Sequence, residues 1–271
     1  MRIQNRLLEN SFDYRWNLQS SDLSECVLSL DGIYSYVSDI GERLHFDDGK
    51  LYEQEIKESV TLTAWLWYEP RDDSDKEYKD MLEQILTKPM GKEQIEFDTS
   101  IEICLYHHEG CCSTAKQYVN TRRDILARIH NKNEFHSFMQ SCFMNSVFSS
   151  QIATGLNTVP DFSRHTEEIV KNLAVLNDEA VSIYYENKSN LVVAFDILSS
   201  KLLECAPDTP ENARYLQFEF VDDGNSEIVE CSPHLKLIRR DSNLRIYFYW
   251  CHDSIGRGNK VLIGRIGTHP Y

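Results

Sequence analysis

The chain has 271 residues, 41% of them apolar and 26% charged, with a formal net charge of −15. That length admits one large domain or two ordinary ones, and the composition excludes a disordered chain. The opening MRIQNRLLENSFDYRW breaks every apolar run with charges and amides, and no stretch nears the ~20 apolar residues of a membrane span, so a soluble, cytoplasmic chain with no membrane partner is expected. Eight cysteines, at 26, 104, 111, 112, 142, 205, 231 and 251, are scattered through apolar contexts, and most read as reduced core residues.

Residues 59–68 (SVTLTAWLWY) alternate Val60, Leu62, Ala64, Leu66 and Tyr68 with Thr and Trp, which predicts a strand buried on both faces. Ser74 and Glu77 form a capping-box pair ahead of a helical stripe of Tyr78, Met81, Leu82, Ile85 and Leu86, with Pro89 and Gly91 as the stop. IEICLY at 101–106 alternates as a further strand. From Ser113 to Ile129 a helical period recurs at Ala115, Tyr118, Arg122, Ile125, Leu126 and Ile129, with Lys116, Arg123 and Arg128 on the other face. Residues 133–149 read as an amphipathic helix carrying Phe135, Phe138, Met139, Cys142, Phe143 and Val147 on one side. Turn formers then fill 151–163, and they divide the chain into an acidic α+β region at 1–155 and a second module at 156–271.

After that boundary a helix is expected over 164–176, with Ile169, Leu173 and Leu176 inward, followed by the less regular NLVVAFDIL. The remainder is strand. RYLQFEFV (214–221) alternates, DDGNS (222–226) is a turn, and a strand over 227–240 is interrupted by Pro233, as at a bulge or an edge. In LRIYFYWC (244–251) parity puts Leu244, Ile246, Phe248 and Trp250 on a core face and Arg245, Tyr247, Tyr249 and Cys251 on the other. In KVLIGRIG (260–267) it groups Val261, Ile263 and Arg265 against Lys260, Leu262, Gly264 and Ile266. The fold class is α+β: a mixed N-terminal α/β region, then helices, then a C-terminal antiparallel β-meander.

Charge is distributed unevenly. Residues 232–271 hold seven positive and two negative side chains, a net +5, so the first 231 residues carry −20 of the total −15. Such asymmetry points to a polyanion-binding surface or to an acidic region that masks one. Lys236, Arg239, Arg240, Arg257 and Lys260, with Tyr249, are the candidate nucleic-acid contacts, and Tyr247 and Tyr249 are candidates to stack an unpaired base.

The run RIYFYW, then KVLIGRIG, then a terminal HPY resembles the catalytic module of the RelE/ParE-type toxin superfamily, over 164–271 at most and most closely over 234–271. The resemblance implies a twisted antiparallel sheet packed on one or two helices and, in the RelE branch, cleavage of messenger RNA on the ribosome. It implies that Arg245 and Arg265 hold phosphate, and that His269 or Tyr271 acts as acid or base. Members are small and basic; the long acidic region here fits a fused regulatory or masking domain. Cleaving RNA through its own 2′-OH needs a base, a cation and an acid but no metal, and Arg245, Tyr247, Arg265 and His269 are the right types.

Other constellations carry less. His107, His108, Glu109, Cys111 and Cys112 are metal-ligand types without zinc spacing, and Cys142 would have to complete a site. Glu55 and Lys57, with Asp47 or Asp48 upstream, make an E-x-K of the kind metal nucleases use, in a chain where acids are common. No P-loop, dinucleotide fingerprint or kinase signature occurs, so no cofactor is expected. Two function classes follow: an RNA- or ribosome-directed effector of bacterial toxin or defence type, a metal-independent endoribonuclease; or a non-enzymatic protein whose acidic N-terminal region binds a basic protein partner.

Overall fold

The computed structural model describes residues 1–16, 23–72, 74–87, 96–105, 110–188, 190–201, 204–237 and 243–271. It is an α+β protein of two compact units, Met1–Arg122 and Arg123–Tyr271. The division falls inside a helix; the segment 151–163, whose turn formers suggested a boundary at 155, lies within the second unit and forms a helix over Ile152–Asn157.

In the first unit β1 (Ile3–Leu7) is central, paired in parallel with β2 (Leu44–His45) on one side and β5 (Thr99–Ile103) on the other. Parallel neighbours require a crossover, and α1 (Leu23–Asp39) supplies it between β1 and β2, burying Cys26, Val27, Leu30, Ile33 and Val37 along one stripe. Next come α2 (Asp48–Tyr52), the small hairpin of β3 (Glu55–Lys57) and β4 (Val60–Thr61), and α3 (Lys76–Leu86). The strand expected over 59–68 is confined to Val60–Thr61; Ala64–Tyr68 is a turn of π-helix. Trp65 and Leu66 are adjacent and both buried, which a helical turn against one core allows, while Tyr68 is exposed. Apolar alternation on both faces does not separate these two cases. α3 starts after Asp75 with no side-chain cap, and Pro89 and Gly91 lie outside the described residues.

The centre of this unit is polar. α4 (Ala115–Ala127) brings Arg122, fully buried, against Glu42, with Nη1 and Nη2 donating at 2.8 and 2.7 Å. Tyr118 Oη accepts from Arg122 at 3.0 Å and donates to Asn5 Oδ1 at 2.6 Å, and Asn5 Nδ2 donates to Glu42 at 2.8 Å. A buried Asn in the central strand is tolerated because its amide oxygen accepts from Tyr118 and its amide nitrogen donates to Glu42 and to the Arg43 carbonyl.

The second unit contains α5 (Lys132–Met139), β6 (Ser146–Phe148), α6 (Ile152–Asn157), α7 (Thr166–Asn187), α8 (Leu191–Lys201) and the strands β7 (Cys205–Pro207), β8 (Gln217–Asp222), β9 (Asn225–Glu230), β10 (Pro233–Lys236), β11 (Leu244–Tyr249) and β12 (Val261–Thr268). The single helix expected over 133–149 is overturned. α5 tightens into a 3₁₀ turn at Gln140–Cys142, and Ser146–Phe148 becomes a strand parallel to β12, a long-range pairing that local periodicity does not encode. Arg123, placed by period on an outer face, is buried and bidentate on Asp178 at 2.6 and 2.7 Å.

The main sheet has the order β6-β12-β11-β10-β7, antiparallel except at β6, so β10, β11 and β12 form the expected meander. The expected strand over 227–240 splits near Pro233 into β9 and β10, which belong to different sheets. β8 and β9 form a separate hairpin whose two-residue loop, Asp223-Gly224, has φ of 48° and 82°, the geometry that matches the twist of the flanking strands.

Cross-strand partners share a face, and the register pairs Lys236 with Arg245, His234 with Tyr247, Tyr247 with Arg265, and Tyr249 with Leu262. The parity expected for β12 fails at one place. The register slips between Tyr247 and Phe248, Gly264 is the extra residue, and beyond it Arg265 turns to the face of Arg245 and Tyr247. Nor is that face open: Tyr247 is fully buried, and Phe218, Val229 and Cys231 of the hairpin region pack over it. The opposite face carries Trp250, stacked on Tyr184 of α7 and touching Phe195 of α8.

Gly264 is required by that packing, since a Cβ there meets Phe218 Cδ2 at 2.5 Å and Cys231 Sγ at 2.9 Å. Gly264→Val is therefore expected to destabilise by about 1–3 kcal/mol through overpacking, read from urea unfolding. An unchanged midpoint would show that the hairpin gives way freely.

Candidate functional site

The site lies where the β10 and β12 ends of the main sheet meet the segment after β7. Asp208 follows β7, its backbone N–H bonded to the Ser232 carbonyl at 3.0 Å, and Thr209-Pro210 starts a 3₁₀ turn that runs to Tyr215. Its carboxylate is a hub. It accepts from Thr209 N–H at 2.7 Å, Asn212 Nδ2 at 2.8 Å, Tyr271 Oη at 3.1 Å and Tyr247 Oη at 3.3 Å. Burial by itself would raise the pKa of this acid; the bonds from Asn212, Thr209 and Tyr271, with His234 nearby, outweigh burial and hold it below the usual carboxylate range.

Tyr247 links this hub to His269, whose Nδ1 lies 2.6 Å from its hydroxyl. A hydroxyl has one hydrogen. In the tautomer where Tyr247 donates to Asp208, Nδ1 of His269 carries the proton and Nε2 keeps its lone pair; in the other, Tyr247 donates to Nδ1 and Nε2 carries the proton. Burial, then Arg245, lowers the His269 pKa against the opposing pull of Asp208, so the ring is neutral at pH 7. Burial pushes the Tyr247 phenol far up, and it stays a neutral relay. His234 completes the group: it is buried, its Nδ1 lacks a hydrogen-bond partner and lies 3.9 Å from Asp208, and its ring is 5.3 Å from that of Tyr247.

The fold thus brings Arg245, Tyr247, Arg265, His269 and Tyr271 to the same end of one sheet face, but in unequal roles. Arg245 and Arg265 are over nine-tenths buried, and each donates to a main-chain carbonyl: Arg245 to Leu244 at 2.8 Å, Arg265 to Thr268 at 2.8 Å. Arg265 thereby straps the start of the terminal segment. Tyr271 is half exposed, its pKa raised by burial and by Asp208.

The basic contacts separate. Lys236 pairs with Glu204 beside Arg245, whereas Arg257, paired with Asp223 at 2.7 Å, Lys260 and the half-buried Tyr249 lie at the far end of β11 and β12. Arg239, Arg240, His107, His108 and Glu109 lie outside the described residues. In the E-x-K region Lys57 is taken up by Glu69 at 3.0 Å, and Asp47 caps α2 through Lys50 N–H.

Sequence reasoning missed Asp208, Asn212 and His234. The signal present was Asp-Thr-Pro, a turn opening whose side chain accepts backbone N–H groups. His234 was hidden beside Pro233, read only as an interruption.

The two histidines make stability pH-dependent. Burial lowers the pKa of His234 and His269 below 6.5, so as pH falls through that value the unfolded chain gains protons first and stability drops. The melting temperature is expected to fall between about pH 7 and about pH 5, less steeply in the double variant His234→Gln/His269→Gln. An identical slope in both proteins would refute the assignment.

No family model matches the chain, and comparison with curated proteins and with solved structures gives no match either. Among the described residues no helix is long and apolar enough to cross a membrane.

Proposed function

We propose that the C-terminal unit is an RNA-directed effector of bacterial toxin type that cleaves its strand in the cytoplasm through the 2′-OH, without metal. The observation that carries this reading is the His269–Tyr247–Asp208 chain of contacts at the edge of a sheet face containing Arg245 and Arg265; in the tautomer where Tyr247 donates to Asp208, Nε2 of the neutral imidazole is free to accept a proton. Nε2 of His269 takes the 2′ proton, O2′ bonds to the adjacent phosphorus, and the bond from phosphorus to the 5′ oxygen breaks. The imidazolium returns the proton to that departing oxygen, leaving a 2′,3′-cyclic phosphate and a 5′-hydroxyl. Arg245 and Arg265 supply positive potential behind the phosphate as its charge grows.

The test uses the purified full chain, a single-stranded RNA and the same sequence as DNA, with EDTA present. The expected result is RNA cut to cyclic-phosphate ends with the DNA intact. RNA that stays whole, or that is cut only when a divalent metal is added, would overturn the reading.

A further inference from the structure

Next to His269 the protein leaves aromatic surface uncovered. Tyr215 is 40% exposed and Tyr271 49% exposed, and their rings lie 5.7 Å apart at a tilt of 40°. Tyr271 continues to His269, centroids 4.9 Å apart, and the Arg214 guanidinium sits 4.6 Å over the Tyr215 ring. The result is a ladder, Arg214–Tyr215–Tyr271–His269. Polar bonds hold it: Tyr271 Oη to Asp208 at 3.1 Å, and Arg214 Nη2 to Tyr215 Oη at 2.7 Å. Tyr215 also ends the 3₁₀ turn that begins just after Asp208, so one short segment positions both the carboxylate hub and the ladder.

We infer that Tyr215 and Tyr271 form a stacking platform for one unpaired nucleobase of single-stranded RNA, seated beside the phosphate presented to His269. This rests on the cleavage reading for the identity of the ligand. Exposed, pre-oriented tyrosines lose little entropy on binding, every base offers a π-face, and an adjacent guanidinium plane extends the stack and draws the phosphate chain. A duplex keeps its bases stacked on one another and has none to give. Of the stacking residues suggested by strand parity, Tyr247 is buried and Tyr249 is half-buried against the same core at the far end of the strand, so the platform moves from the strand to the loop and the tail.

The test is binding of a fluorescein-labelled 2′-O-methyl RNA octamer, which has no free 2′-OH to react, and of its copy lacking one central base, by fluorescence anisotropy with the full chain. Tyr215→Ala is expected to weaken binding of the intact octamer by about tenfold, and Tyr215→Phe to retain it. Neither change should alter binding of the abasic copy. Equal losses on both oligonucleotides, or no loss on either, would overturn the platform. Wild-type chain that leaves unmodified RNA whole while keeping the Tyr215- and base-dependent binding would refute cleavage and uphold the platform. Cleavage undiminished by Tyr215→Ala would do the reverse.

Discussion

His269→Ala is expected to lower RNA cleavage by about 10²–10⁴-fold, with the melting temperature nearly unchanged. The ring is half-buried, and among the described residues it is hydrogen-bonded to Tyr247, so the fold loses little when it goes. Tyr247 keeps its bond to Asp208 in the variant. Asp208→Asn separates base from scaffold. It removes the charge that opposes burial at His269, so the pH below which cleavage is lost should move further down while the maximal rate falls. A His269→Ala chain that cuts as fast as the wild type would remove the imidazole from the mechanism.

Glu42→Ala is expected to cost about 3–5 kcal/mol of stability. It strips two charge-assisted bonds from a guanidinium with no solvent exposure, and the Asn5 amide loses the same partner. The double change Glu42→Leu/Arg122→Met should recover most of that loss, because two apolar side chains of similar volume leave no buried charge behind. Urea unfolding measures both. If Glu42→Ala costs under about 1 kcal/mol, water entering beside the partly exposed Glu42 position takes over its bonds to Arg122.

Local patterns were legible where a segment answers to one neighbour at a time. β11 and β12 declared themselves by alternation, the hairpin by Asp223-Gly224, and α3 by its spaced apolar stripe. Patterns failed where a distant partner decided. Ser146–Phe148 is a strand because the edge of β12 is there to pair with it, and Arg123 is inside because Asp178 meets it. The candidate residues divide the same way. His269 and the tyrosines stood out by type, but their relation did not, since Asp208 lies 39 residues from Tyr247 in the chain.

What the sequence determined by itself was the α+β class, the meander and a chemically loaded terminus, because periods of 2 and 3.6 and turn chemistry are local properties. Only the tertiary structure decided which of those loaded residues meet. One glycine bulge sets the direction of Arg265, a covering hairpin buries Tyr247, and a loop after β7 delivers the carboxylate that Tyr247 links to His269. Side-chain direction in a sheet depends on register and on what lies over each face, and both are fixed by pairings between residues far apart in the chain.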